Sequence, residues 1–166
     1  MLPQLKRILY ATDLGENTRS VFRYAISLAQ CYGAQISMLH TLEPLGTTGA
    51  ALLEAYLPRE TAEKLHQNAL EEVREKMQQR LAAFCLEELN MSWEESHLIA
   101  DIAVLDGHSA QTIVNYSRQI NADLIVMGTH SYSVVTEFLI GSTARKVTQL
   151  STIPVLIVPL PEKTPL

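Results

Sequence analysis

The sequence predicts an α/β fold: a single, doubly wound, five-stranded parallel sheet with helices on both faces, Rossmann-like in architecture. Three observations predict it. Short apolar runs alternate with amphipathic segments five times along the chain, the rhythm of parallel strands joined by right-handed helical crossovers. Two of the runs, Leu-Ile-Val-Met at 124–127 and Pro-Val-Leu-Ile-Val at 154–158, are apolar throughout, as strands covered on both faces are. The chain has 166 residues, 47% of them hydrophobic, enough for one core without disulfides or metals.

Each element follows in order. Residues 7–12 (RILYAT) form a β-branched and aromatic run that stops at Asp13-Leu14-Gly15. Over 18–32 the period changes: Phe22, Ala25, Ile26, Ala29 and Tyr32 recur at three and four, one apolar helix face. Gly33 follows at the position of a helix C-cap. Residues 36–42 are a second strand. Residues 44–56, rich in Gly, Thr and Ala, read as a mobile loop or partly helical insertion. A long helix is expected over 60–89, with Leu65, Ala69, Val73, Met77, Leu81 and Phe84 as its buried stripe and Glu71, Glu72, Lys76 and Glu88 on its wet face. A weaker strand spans 96–105. Residues 110–120 are helical, with Ile113, Tyr116, Ser117 and Ile120 on one side. The helix at 141–150 joins the two buried strands already named. Residues 1–160 make one domain. The tail at 161–166, with Pro161 and Pro165, is expected to fray.

Composition excludes several classes of function. The net charge is −5, the wrong sign for a protein that neutralises nucleic-acid phosphates or docks on anionic lipid. No apolar run reaches the ~18 residues of a membrane span, so no membrane insertion is expected. Leu5-Lys6-Arg7 leads straight into a strand, without the apolar stretch of a signal peptide; the reading is a cytoplasmic protein. Cys31 and Cys85 have no CxxC or Cys/His spacing and read as reduced, partly buried thiols.

Open parallel sheets bind ligands beyond the carboxyl ends of their strands, where strand order reverses. That rule selects Asp13 after strand one, His40 and Thr41 at the end of strand two, Asp106-Gly107-His108-Ser109 after strand three and Gly128-Thr129-His130-Ser131 after strand four. Gly141-Ser142-Thr143 opens the last helix. Ser142 is positioned to cap it, Gly141 to let an anion approach the backbone, and the free N–H groups of the first turn to bind that anion. No GxxxxGK[ST] occurs, so the cradle is not a P-loop. His40, His108 and His130 all fall at predicted strand ends on the ligand edge, where three imidazoles could bind zinc, but no metal site is expected. Ser131 beside His130 is sequence adjacency, not a nucleophile with its base. Arg145 and Lys146 lie in the first turn of the last helix, where they read as solvent-exposed cations.

The segment 122–159 (ADLIVMGTHSYSVVTEFLIGSTARKVTQLSTIPVLIVP) resembles the C-terminal signature of the universal stress protein (UspA-like) family. Its ATP-binding members carry G-x2-G-x9-G-[ST]. Gly128, Ser131, Gly141 and Ser142 keep that spacing, with Ser131 in place of the middle glycine and Val134 at another position where relatives have glycine. Residues 6–42 and the turn at 106–110 are also similar, so the resemblance spans the chain apart from roughly 44–92. It implies a sheet order of 3-2-1-4-5, with Asp13 and Gly128 flanking the switch point. It also implies a role in stress response or regulation, with ATP or another adenine nucleotide, with or without Mg2+, as ligand. Asp13 and Thr41 would lie against the adenine and Gly107 near the ribose. Gly128, Ser131, Gly141, Ser142 and Thr143 would surround the phosphates. No catalytic base or arginine finger is visible, so the protein reads as a binder and not an enzyme, any ATP hydrolysis being slow. The resemblance further implies a homodimer through strand five (Ile153 to Val158) and a regulatory protein partner of unspecified identity. The alternative is a homodimeric interaction module that binds no nucleotide because Ser131 blocks the cradle: a Cβ there costs ~1–2 kcal/mol if the backbone needs positive φ.

Overall fold

A computed structural model of the chain describes residues 2–15, 18–129 and 140–160. Five parallel strands form one sheet: β1 (Arg7–Ala11), β2 (Gln35–Leu42), β3 (Ile99–Asp106), β4 (Leu124–Gly128) and β5 (Val155–Val158). Their spatial order is β3-β2-β1-β4-β5, the order the resemblance implies. The register sets Ile8 beside both Ile36 and Leu124, so β1 is the central strand.

The two faces are read directly from β1. Successive side chains of a strand point to opposite faces. Ile8 and Tyr10 enter one core, Leu9 and Ala11 the other, and all four are buried. The first core is closed by α1 (Thr18–Tyr32) and the end of α3 (Arg59–Phe84), through Val21, Phe22, Ile26, Met77, Leu81 and Phe84. The second is closed by α5 (Ser109–Gln119) and α6 (Ser142–Leu150), through Ile113, Val114, Tyr116, Ala144 and Val147.

Most of the predicted faces are present, and the departures have local causes. In α1, Phe22, Ala25, Ile26 and Ala29 are buried, whereas Tyr32 at the last turn is 58% exposed. Gly33 then takes φ +64 and the Ala34 N–H bonds back to the Ala29 carbonyl at 2.9 Å, the Schellman end that glycine permits. The stretch expected as a loop or partial helix is α2 (Thr47–Tyr56), none of whose residues is buried. The long helix continues past Phe84 as a π-helical turn, Cys85–Leu89. Its buried stripe is shorter than expected: Met77, Leu81 and Phe84 are buried, while Leu65 is 53% exposed. The buried side chains of α3 all lie in its second half; in the first half Leu70 packs partly buried against the core and His66 meets Asp106 of β3 at 2.9 Å, while Leu65 stays exposed. The third strand begins later than predicted because Ser92 nucleates the short helix α4 (Trp93–Ser96) with a full capping box, each of Ser92 and Glu95 accepting the other's N–H. Cys85 is buried and Cys31 exposed, both free thiols. Among the described residues no helix is long and apolar enough to cross a membrane.

Candidate ligand site at the strand ends

A cavity of about 320 Å³ opens beyond the carboxyl ends of β1, β2 and β4. Of the residues chosen from sequence, Asp13, Thr41, Gly128, Gly141, Ser142 and Thr143 line it. Chain segments more than a hundred residues apart in sequence are thus brought together at the switch point between β1 and β4. Ser131, His130 and Val134 lie outside the described residues.

After β1 the chain turns sharply. Asp13 Oδ1 accepts the Gly15 N–H at 2.9 Å and Thr12 Oγ1 accepts the Leu14 N–H at 3.1 Å. Leu14 is thereby held at φ 61, a left-handed conformation costly for a leucine. The Arg80 guanidinium, reaching from α3, donates to the Leu14 carbonyl. Asp13 therefore both orders the turn and forms cavity wall. Beside it, His40 Nδ1 lies 2.8 Å from the Thr12 carbonyl, so Nδ1 carries the proton. Tyr10 donates to the Thr18 carbonyl at 3.2 Å. Burial pushes its phenol up to about 12, so it stays neutral in the wall.

At the β2–β3 side, Thr41 Oγ1 meets Ser109 Oγ at 2.8 Å. Glu43 Oε1 accepts both the Ser109 hydroxyl at 2.6 Å and the Ser109 N–H at 2.8 Å. These bonds hold the Glu43 carboxyl below the usual carboxylate range. Sequence reasoning missed Glu43; its place immediately beyond a strand's carboxyl end was the available signal. Ser109 stood in the turn singled out after strand three but was given no role.

Gly107 does not line the cavity. It has φ +134, and a Cβ there would lie 2.5 Å from Thr112 Oγ1. Its N–H donates to the Leu42 carbonyl at 3.0 Å. This glycine reverses the chain so that Ser109 starts α5 facing Glu43.

At the β4 side, Gly141 and not Ser142 is the N-cap of α6; Ser142 is the first helical residue. Gly141 also donates its N–H to the Thr129 carbonyl at 2.6 Å, and Leu160 donates to Thr129 Oγ1 at 3.2 Å. The first intrahelical bond at this end runs from the Arg145 N–H to the Gly141 carbonyl, so the N–H groups of Ser142, Thr143 and Ala144 have no acceptor within the helix. Gly128 is closely packed: an added Cβ would sit 3.3 Å from Val21 Cγ2. Arg145 and Lys146 are exposed.

The cavity is therefore polar in a directional sense. Its α6 end offers N–H donors and the positive end of a helix dipole, suited to an anion. Its β2 end offers the acceptors Glu43 and Thr41, and the Asp13 carboxylate also lines the cavity. Val21, Leu39, Ile113 and Met127 give it apolar walls. Among the described residues no group of three or more His, Cys, Asp or Glu is placed to hold a metal.

A model of the universal stress protein family matches residues 4–159. The chain is 29% identical over 153 residues to universal stress protein YxiE of Bacillus subtilis, covering 92% of this chain and 97% of that one. In structure it is similar to protein MJ0577 of Methanocaldococcus jannaschii, with a TM-score of 0.73 at 22% identity over 97% of this chain and 100% of the other. A universal stress protein solved in complex with cAMP has a TM-score of 0.58 at 17% identity, covering 94% and 98% of the two chains.

Proposed function

The chain belongs to the universal stress protein family, and from that premise we propose that it binds an adenine nucleotide in the cavity at the strand ends and acts as a nucleotide-responsive binder in stress response. The observation that carries this reading is the polarity of the cavity. An anion-favouring helix start stands at one end, carboxylates and a hydroxyl at the other, with apolar walls between. A nucleotide matches that sequence of chemistries: phosphate, then a planar base with amino and ring groups. The complex of a family relative with cAMP adds support for an adenine nucleotide as the ligand class.

In this reading the N–H groups at the start of α6 receive the phosphates, with the hydroxyls of Ser142 and Thr143 beside them. Asp13 and Thr41 receive the base. Mg2+ would enter on the phosphates of the bound nucleotide. The protein acts by binding and not by catalysis; it works in the cytoplasm as a homodimer joined through β5.

The direct test is to denature the purified protein and separate any released nucleotide by chromatography, then to titrate the emptied protein with ATP, AMP and adenosine. Asp13→Ala should weaken all three by similar factors, because Asp13 stands at the base end. Ser131→Gly should raise ATP affinity by about 1–2 kcal/mol, roughly tenfold, if relief of positive φ is its effect, with little change for adenosine. The departure at Ser131 also favours a second reading, the interaction module with a blocked cradle. Absence of binding by wild type and by Ser131→Gly alike would replace the first reading with the second.

A further inference from the structure

Thr41, Ser109 and Glu43 form a hydrogen-bonded chain whose direction is fixed at one end. An ionised carboxylate only accepts hydrogen bonds, and Glu43 is kept ionised by the Ser109 hydroxyl and N–H that reach it. Ser109 therefore gives its one hydroxyl proton to Glu43 at 2.6 Å. Having no second proton, its Oγ meets Thr41 Oγ1 at 2.8 Å as an acceptor. The one hydroxyl proton of Thr41 is consumed in that bond. What Thr41 offers the cavity is lone pairs alone. The Ser109 N–H, also on Glu43 Oε1 at 2.8 Å, clamps the carboxylate so that the chain cannot reverse.

We infer that Ser109 and Glu43 are positioning residues that hold the Thr41 hydroxyl as a pure acceptor, and that this fixed polarity makes the site select a purine with an exocyclic amine over one with a carbonyl at the same place. The inference rests on the nucleotide reading above and deepens it. If the phosphate is taken at the start of α6, the base falls toward the opposite end of the cavity, the end that Thr41 lines. An amine there donates to Thr41. A carbonyl there sets acceptor against acceptor and leaves both without a partner, the arrangement that polar sites reject most strongly.

The experiment is calorimetric titration with AMP and IMP, which share the phosphate and differ at the exocyclic group and in the proton that IMP carries on the adjacent ring nitrogen, against wild type, Ser109→Ala and Thr41→Val. Wild type should favour AMP over IMP by about tenfold or more. Ser109→Ala frees the Thr41 proton to turn toward a ligand carbonyl, so IMP should gain and the preference fall to within about threefold. Thr41→Val, nearly isosteric, should lose AMP affinity while leaving IMP within about twofold. Thermal melting of each variant establishes that it is folded, and the two variants act on different atoms of the same chain. Equal affinity of wild type for AMP and IMP overturns the inference while leaving the nucleotide reading in place. So does a Ser109→Ala protein that weakens both ligands in proportion, which is the signature of a merely structural serine. Failure of wild type to bind either ligand overturns the nucleotide reading, and the inference with it.

Discussion

Gly107 and Glu43 show how differently single residues speak in sequence and in structure. A glycine after a strand signals a special backbone, but chain reversal and close approach to a ligand call for the same residue. Here φ +134 and the nearness of Thr112 assign Gly107 to the reversal. Gly107→Ala should therefore destabilise the protein by about 1–3 kcal/mol, from left-handed strain plus displacement of the Thr112 hydroxyl, as measured by urea unfolding. Thr112→Ala in the same background should recover the crowding part and not the strain. Glu43 carried only the signal of its place beyond a strand end, for the opposite reason: a carboxylate in a loop normally reads as solvated, and its partner Ser109 is distant in sequence. Its folded-state pKa is depressed by the Ser109 bonds. The stability it contributes is therefore present above its unfolded pKa of about 4.3 and is lost as pH falls through the folded value. Melting temperatures of wild type and Glu43→Gln should accordingly differ at pH 7 and converge below about pH 4. A difference that persisted at low pH would mean that the substitution acts on packing and not on charge.

Helices differ in how well they are seated. Periodicity predicted α1 and α5 with their buried faces, because each lies against the sheet along its length. It also predicted the long helix, but not where its support ends, since an apolar repeat carries no mark of which turns have a partner. α2 was the least legible element: a Gly- and Ala-rich sequence with weak amphipathicity, helical yet without one buried residue. The far end of α3 is well tied. Arg19 and Arg23 of α1 pair with Glu88 at 3.1 and 2.5 Å, and Arg74 donates to the Ile102 carbonyl at 2.7 Å. Amide exchange should therefore split the helix. Residues 47–66 should exchange near the rate of local opening, and 77–84 close to the rate of global unfolding. Uniform protection along α3 would show that the first half has a support beyond these contacts. Leu81→Ala, at a position 1% exposed, should cost about 2–5 kcal/mol.

At the scale of the whole molecule, strand order was legible through family resemblance, and the alternation of elements through periodicity alone. The surface left over is the outer edge of β5, where Val155, Leu156 and Ile157 are half-buried. An apolar edge strand invites pairing, and the same strand of a second copy, antiparallel about a two-fold axis, would cover it. Light scattering at micromolar concentration should report a dimer for wild type and a monomer for Val155→Lys; a monomeric wild type would sink the homodimer. The position of β1 has a consequence of another kind. It is the first strand in the chain and the central strand of the sheet, flanked by β2 on one side and β4 on the other. During synthesis its first edge is satisfied once residue 39 has emerged, because Ala11 pairs there. Its second edge has no strand to pair with until residues 124–126 are made. For most of translation the nascent sheet therefore presents an apolar, half-paired strand to its surroundings, the kind of surface that chaperones exist to shield. The growing chain is most vulnerable just before the strand arrives that also completes the wall of the ligand cavity.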